Sequence, residues 1–210
     1  MTHGRLHGNI RAVLVHGVVL GVALAAFGAA PWAVSAHADT TPARAHCASV
    51  DRGFRPTTLA IGGVRRATKV LARGQDRHGV PLPPPLTARG KWQLAWDKAS
   101  GVRPGDDRGV VRLTAHTYPY DTPAPALGNL LLDRLRIGAR LKVSGAGGKQ
   151  VCYRVTRRQR VRADATLSRY YDTIGKHRLA ILVCSGKRRG PGDWTHRTIW
   201  YAVPVPAADE

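Results

Sequence analysis

Residues 139–164 read ARLKVSG, AGGK, QVCYRVT, R and RQRVRAD. Leu141 and Val143 alternate with Arg140, Lys142 and Ser144, and Val151, Tyr153 and Val155 alternate with Gln150, Cys152 and Arg154. Alternation with a period of two is the mark of a half-buried strand, and the glycine-rich AGGK is a turn. This stretch predicts three consecutive strands: ARLKVSG, QVCYRVT and RQRVRAD.

The same pattern continues on both sides. Upstream, TTLAIG (57–62) places Leu59 and Ile61 on one face, the run 66–73 follows, and KWQLAW (91–96) alternates Trp92, Leu94 and Trp96. Between them lies GVPLPPPL (79–86), which must be extended or looped, because proline fixes φ and lacks a donor. Arg103-Pro104-Gly105-Asp106 has the residues of a type II turn and leads into GVVRLTAH (109–116). ALGNLLLDRL (126–135) is the one clear helix, stopped at Gly138. Downstream, a loop or short helix at LSRYYDTIG precedes HRLAILVC (177–184), and THRTIWYAVPV (195–205) is the last strand. About eight strands, one or two short helices and no βαβ alternation predict an all-β, closed, antiparallel-rich barrel, since closure hides strand edges. Fourteen prolines and 23 glycines against two phenylalanines agree with many turns.

The N-terminus sets the compartment. Arg5 and Arg11 precede an uncharged run from Ala12 to Val34, 23 residues long. That length suits a membrane-spanning anchor, whereas Pro31 and Ala36-His37-Ala38 suit a cleaved signal peptide. Residues 1–38 are therefore a hydrophobic helix serving as signal or anchor, 39–55 a linker and 56–206 the domain. Either reading places the domain outside the cytoplasm, in the membrane or exported to the cell envelope. There, structural cysteines tend to pair and an odd one is a candidate reactive thiol. Cys47, Cys152 and Cys184 allow three choices of one bridge. The formal charge of +20 is spread along the chain. No helix-turn-helix, zinc-finger or RNP signature accompanies it, so nucleic acid is not an expected partner; the charge reads first as a solvated basic surface, one that would also suit work against an anionic cell envelope.

Three residues carry candidate chemistry. Cys184 ends the apolar run LAILVC, and Lys187-Arg188-Arg189 follow it; a free cysteine is commonly a small core residue, but nearby cations favour a thiolate. His116 ends a rigid apolar strand at an accessible loop, the best placed of His78, His116, His177 and His196. Arg197 opens the last strand, and arginine has fixed donors suited to a developing oxyanion, although surface decoration is common in so basic a chain.

The order His, Cys at a strand end, Arg opening the final strand resembles the sortases. LTAHTYP, LGNLLLDRL, CYRVT, LAILVCSGKR and GPGDWTHRTIWYA are similar to segments of the class F-like members, over about residues 54–204. The resemblance implies an eight-stranded sortase-type β-barrel and thiol attack on the Thr–Gly bond of an LPxTG-like sorting signal. Cys184 would form the thioester, His116 would manage protons, and Arg197 would steady the oxyanion or the substrate. An amine of a peptidoglycan precursor or a pilin lysine would resolve the acyl-enzyme. Tyr170, Tyr171 and Ile174, in the loop 162–175, would be contacts for the signal peptide. A nucleophilic Cys184 must be free, which implies a Cys47–Cys152 bridge. Neither cofactor nor metal is expected; Asp106-Asp107, the one adjacent acidic pair within the domain, suits a solvated turn. Two departures from the family pattern stand out: T-L-x-T-C reads Ala180-Ile181-Leu182-Val183-Cys184, and the glycine before the histidine is Ala115.

Other chemistries fit less well. An L,D-transpeptidase would carry His and Gly before its cysteine, a papain-like protease reverses the Cys and His order, and no C-x-x-C or H-x-x-x-H zinc spacing occurs within the domain. The alternative from another class is a non-catalytic, basic envelope-binding β-domain, in which Cys184→Ala leaves function intact and salt weakens binding.

Overall fold

The structure, a computed structural model, describes residues 47, 50, 52–120 and 125–205, all within the compact unit Arg44–Glu210. The expected hydrophobic helix of residues 1–38 and most of the linker lie outside the described residues. Eight strands, β1 (Pro56–Ile61), β2 (Arg65–Arg73), β3 (Leu94–Asp97), β4 (Val110–Ala115), β5 (Arg140–Gly145), β6 (Gln150–Arg162), β7 (Arg178–Gly190) and β8 (Asp193–Pro204), close into one barrel. Two helices, α1 (Leu127–Arg134) and α2 (Ser168–Tyr171), accompany it.

Around the barrel the order is β1-β2-β3-β4-β7-β8-β6-β5. Every pairing is antiparallel except β2 with β3 and β4 with β7. A parallel pair needs a long crossover. The proline-rich residues 79–86 lie in the first crossover, and α1, β5, β6 and α2 lie in the second.

Strand parity sorts side chains to two faces. Val111, Leu113 and Ala115 of β4, Leu179, Ile181 and Val183 of β7, and Trp200 and Ala202 of β8 point into the barrel core, which Leu127 and Leu131 of α1 and Leu135 just after it join. On the outer face, Val110, Ala180, Ile199 and Tyr201 form a second cluster under Tyr170 of α2. A sheet buried on both faces reads as a continuous apolar run, which is why LAILV shows no clean alternation.

Three sequence expectations change in extent. QVCYRVT and RQRVRAD are one strand, β6, with an irregularity between Val155 and Arg157 absorbing the extra residue. The long β8 ladder holds the polar half extended although its side chains are exposed. Trp92 sits in a 3₁₀ turn, Gly90–Trp92, and only Leu94–Asp97 forms strand. Finally, HRLAILVC does not stop at Cys184: β7 runs on to Gly190 as one arm of a hairpin with β8.

Candidate active site

Register places the three candidate residues side by side. Ala115 of β4 pairs with Val183 of β7, so His116, the next residue, comes level with Cys184 as the β4–β7 ladder ends. Cys184 pairs directly with Arg197 of β8. Parity puts all three on the outer face: His116 follows Val110, Arg112 and Thr114, Cys184 follows Ala180 and Leu182, and Arg197 precedes Ile199 and Tyr201. Cys184 thus lies mid-strand along β7 but at the barrel rim on its β4 side. Just beyond it, the ladder with β8 is irregular between Ser185 and Arg188, with Gly186 at φ 82°. That bulge interrupts the regular pairing where the hairpin arm begins.

Backbone and side-chain hydrogen bonds fix this corner. Thr117 Oγ1 donates to the Cys184 carbonyl at 2.7 Å, tying the loop after β4 to β7. The Gly128 N–H donates to the His116 carbonyl at 2.8 Å. A methyl at Gly128 would overlap that carbonyl oxygen, so glycine is required by the close approach of α1. Buried Asn129 uses its whole amide: Oδ1 accepts from Tyr118 N and Ala126 N at 3.0 Å each, and Nδ2 donates to Tyr118 O at 2.9 Å. On the other side of β7, Thr198 Oγ1 donates to Ser185 Oγ at 2.9 Å.

The half-buried His116 ring makes a short contact, Nε2 to the Pro84 carbonyl at 2.6 Å. Arg197 uses Nη1 to reach the carbonyls of Trp194 (3.3 Å) and His196 (3.1 Å). Its Nε and Nη2 donate to no acceptor among the described residues. Cys184 is a free, half-buried thiol; burial pushes its pKa up and the Arg197 charge pulls the other way. The cation felt by the sulfur is therefore Arg197. Lys187, Arg188 and Arg189, expected from sequence to act on it, lie exposed on the hairpin, where Arg189 pairs with Asp193 at 2.9 Å.

Cys47 and Cys152 are disulfide-bonded, with Cα atoms 5.4 Å apart. Tyr170 of α2 is packed onto the outer face of the sheet at 1% exposure, its hydroxyl without a partner among the described residues, while Tyr171 and Ile174 are 38% and 79% exposed. Tyr171 lies beneath the Arg112 guanidinium, 5.2 Å from the ring centre, and Arg112 is itself in a buried pair with Asp97 at 3.2 Å. The other domain histidines are engaged elsewhere. His177 bonds Tyr153 Oη at 2.9 Å, His78 lies against Arg77, and His196 contacts Thr195 Oγ1 at 2.8 Å. Among the described residues no group of three or more His, Cys, Asp or Glu side chains could hold a metal ion.

Sequence reasoning missed Thr117, Asn129 and Pro84. Asn129 had a signal, an amide in the first turn of a helix whose preceding residue, Ala126, cannot cap. Thr117 and Pro84 act across the barrel and leave no local trace.

No protein-family model matches the chain, and no curated protein does. Solved structures do. A complex of Streptococcus agalactiae sortase C1 with MTSET superposes with a TM-score of 0.51 at 17% identity, over 71% of this chain and 66% of that one. Sortase C1 of Streptococcus suis gives 0.52 at 14% identity, over 75% and 78%. Sortase C-1 of Actinomyces oris gives 0.51 at 18%, over 72% and 76%. The chain spans slightly less than two thirds of the length of the Streptococcus agalactiae structure. The barrel is a sortase fold.

Proposed function

We propose that this protein is an extracytoplasmic, class F-like cysteine transpeptidase acting on an LPxTG-like sorting signal. The observation that carries the reading is the register that makes His116, Cys184 and Arg197 neighbours on one face of β4, β7 and β8. A raised thiol pKa means that Cys184 needs a base, and the adjacent imidazole supplies one.

In the first half-reaction the Cys184 proton passes to His116 and Sγ bonds to the threonine carbonyl carbon. The oxyanion that forms is stabilised by Arg197, whose Nε and Nη2 are uncommitted among the described residues. Collapse breaks the Thr–Gly C–N bond, His116 protonates the leaving amine, and a thioester remains. In the second half-reaction an acceptor amine loses its proton to His116 and attacks the thioester. A new C–N bond forms, the C–S bond breaks, and the proton returns to sulfur. The acceptor is an amine of a peptidoglycan precursor or a pilin lysine. Tyr171 and Ile174 are the exposed candidates for peptide contact, with Tyr170 as packed support for that wall.

Incubating the domain with LPxTG-like peptides and hydroxylamine tests this. Hydroxamate cleaved at the Thr–Gly bond is expected. Absence of any amine-dependent product across a panel of signal peptides would instead support the basic binding domain.

A further inference from the structure

The proline-rich crossover between β2 and β3 is built to deliver a carbonyl to His116. Its first end is pinned by Asp76, whose Oδ1 accepts from the Val80 N–H at 2.9 Å, and by Leu82 N donating to Gly74 O at 3.0 Å. Gln75 Nε2 also donates to the buried Asp97 Oδ2 at 2.8 Å. The other end is closed by Thr87 N on Pro85 O (2.8 Å) and Gly90 N on Thr87 Oγ1 (3.0 Å). Between the pins run Pro83, Pro84 and Pro85, a stiff extended segment without a single N–H. Pro83 and Pro85 face solvent, whereas Pro84 is buried and its carbonyl meets His116 Nε2 at 2.6 Å.

A carbonyl oxygen can only accept, so this contact requires a proton on Nε2. Nδ1 is then the one nitrogen of the neutral ring with a lone pair to offer. We propose that the Pro84 carbonyl is a positioning group for His116, holding the imidazole in its Nε2–H form so that Nδ1 is the nitrogen that takes the Cys184 proton and returns it. In hydrolases of the Ser-His-Asp type a carboxylate fills this place; here a main-chain oxygen on a polyproline strap does. A neutral acceptor orients the ring and supports the imidazolium without adding a negative charge beside the thiol. The inference rests on His116 being the proton carrier proposed above, but the protonated nitrogen can be measured with no substrate present.

The test is nitrogen-15 NMR of the histidine-labelled domain, in the parent and in two strap variants. Gly90→Ala would drive a methyl into the Pro85 carbonyl and shift the strap, while leaving every side chain around Cys184 unchanged. Pro83→Gly combined with Pro85→Gly loosens the segment without steric push, and serves if Gly90→Ala does not fold. The parent is expected to show a His116 Nε2–H proton protected from solvent exchange, with Nδ1 unprotonated. Both strap variants are expected to lose that protection while still folded, at a lowered melting temperature, and kcat for peptide transfer measured below that temperature is expected to fall roughly 10–100-fold with KM little altered. A parent ring protonated on Nδ1, or lacking a protected Nε2–H, overturns the proposal. Strap variants that lose the protected proton yet keep full kcat also overturn it. If no peptide is ever turned over, a protected Nε2–H still upholds the positioning contact, and the failure falls on the transpeptidase reading.

Discussion

Arg197 and Cys184 set opposing influences on one sulfur. Burial favours the neutral thiol and the guanidinium favours the thiolate, with burial the larger. Alkylation of Cys184 should therefore rise with pH to a midpoint above that of free cysteine, and Arg197→Ala should move the midpoint higher still. The sign for stability follows: an unfolded thiol ionises first, so the contribution of Cys184 is whole below the free-cysteine pKa and is lost as pH rises through the folded one. Arg197→Ala should also lower kcat by about 10²–10³-fold if it holds the oxyanion. Steady-state kinetics with a peptide check this. A loss confined to KM would make Arg197 a substrate anchor. The three candidates could be singled out in the sequence because each flanks an apolar run. The cation acting on the thiol was not, since Lys187–Arg189 follow it closely in sequence but lie exposed on the hairpin, whereas Arg197 meets it through the β7–β8 register.

At the scale of elements, α1 and the loop before it set the position of His116. Gly128→Ala should cost about 1–3 kcal/mol by overpacking against the His116 carbonyl, read as a lower melting temperature. Activity should fall further than stability, because the displaced residue is the proposed proton carrier. Beneath α2, the Asp97–Arg112 pair is buried on both sides, and Asp97→Ala would leave Arg112 uncompensated. A loss of about 3–5 kcal/mol in denaturant unfolding is expected. The helix at 126–135, the type II turn at 103–106 and most strands were readable from spacing and turn residues. Gly105, at φ 89°, bears out that turn. Strand ends were less readable: β6 and β7 continue through charged residues because partner ladders, not local propensity, hold them extended.

For the whole molecule, the closed order of eight strands follows from hiding edges, but which strands neighbour one another does not. The second long crossover, through α1, β5, β6 and α2, brings β4 beside β7, and with it His116 level with Cys184. The disulfide joins Cys152 on β6 to Cys47, 105 residues earlier in the chain. Closing a loop of that length stabilises by roughly 2–5 kcal/mol. A Cys47→Ser, Cys152→Ser variant should melt correspondingly lower while still acylating at Cys184. The barrel is a sortase fold, and the proposed chemistry depends on the Cys184 sulfur. Intact-mass spectrometry of the protein quenched in acid after mixing with an LPxTG-like peptide measures that directly. A mass increase equal to the peptide acyl fragment, mapped to Cys184 and absent in Cys184→Ala, is the predicted result; no adduct in the parent, or the same adduct in the alanine variant, would contradict it.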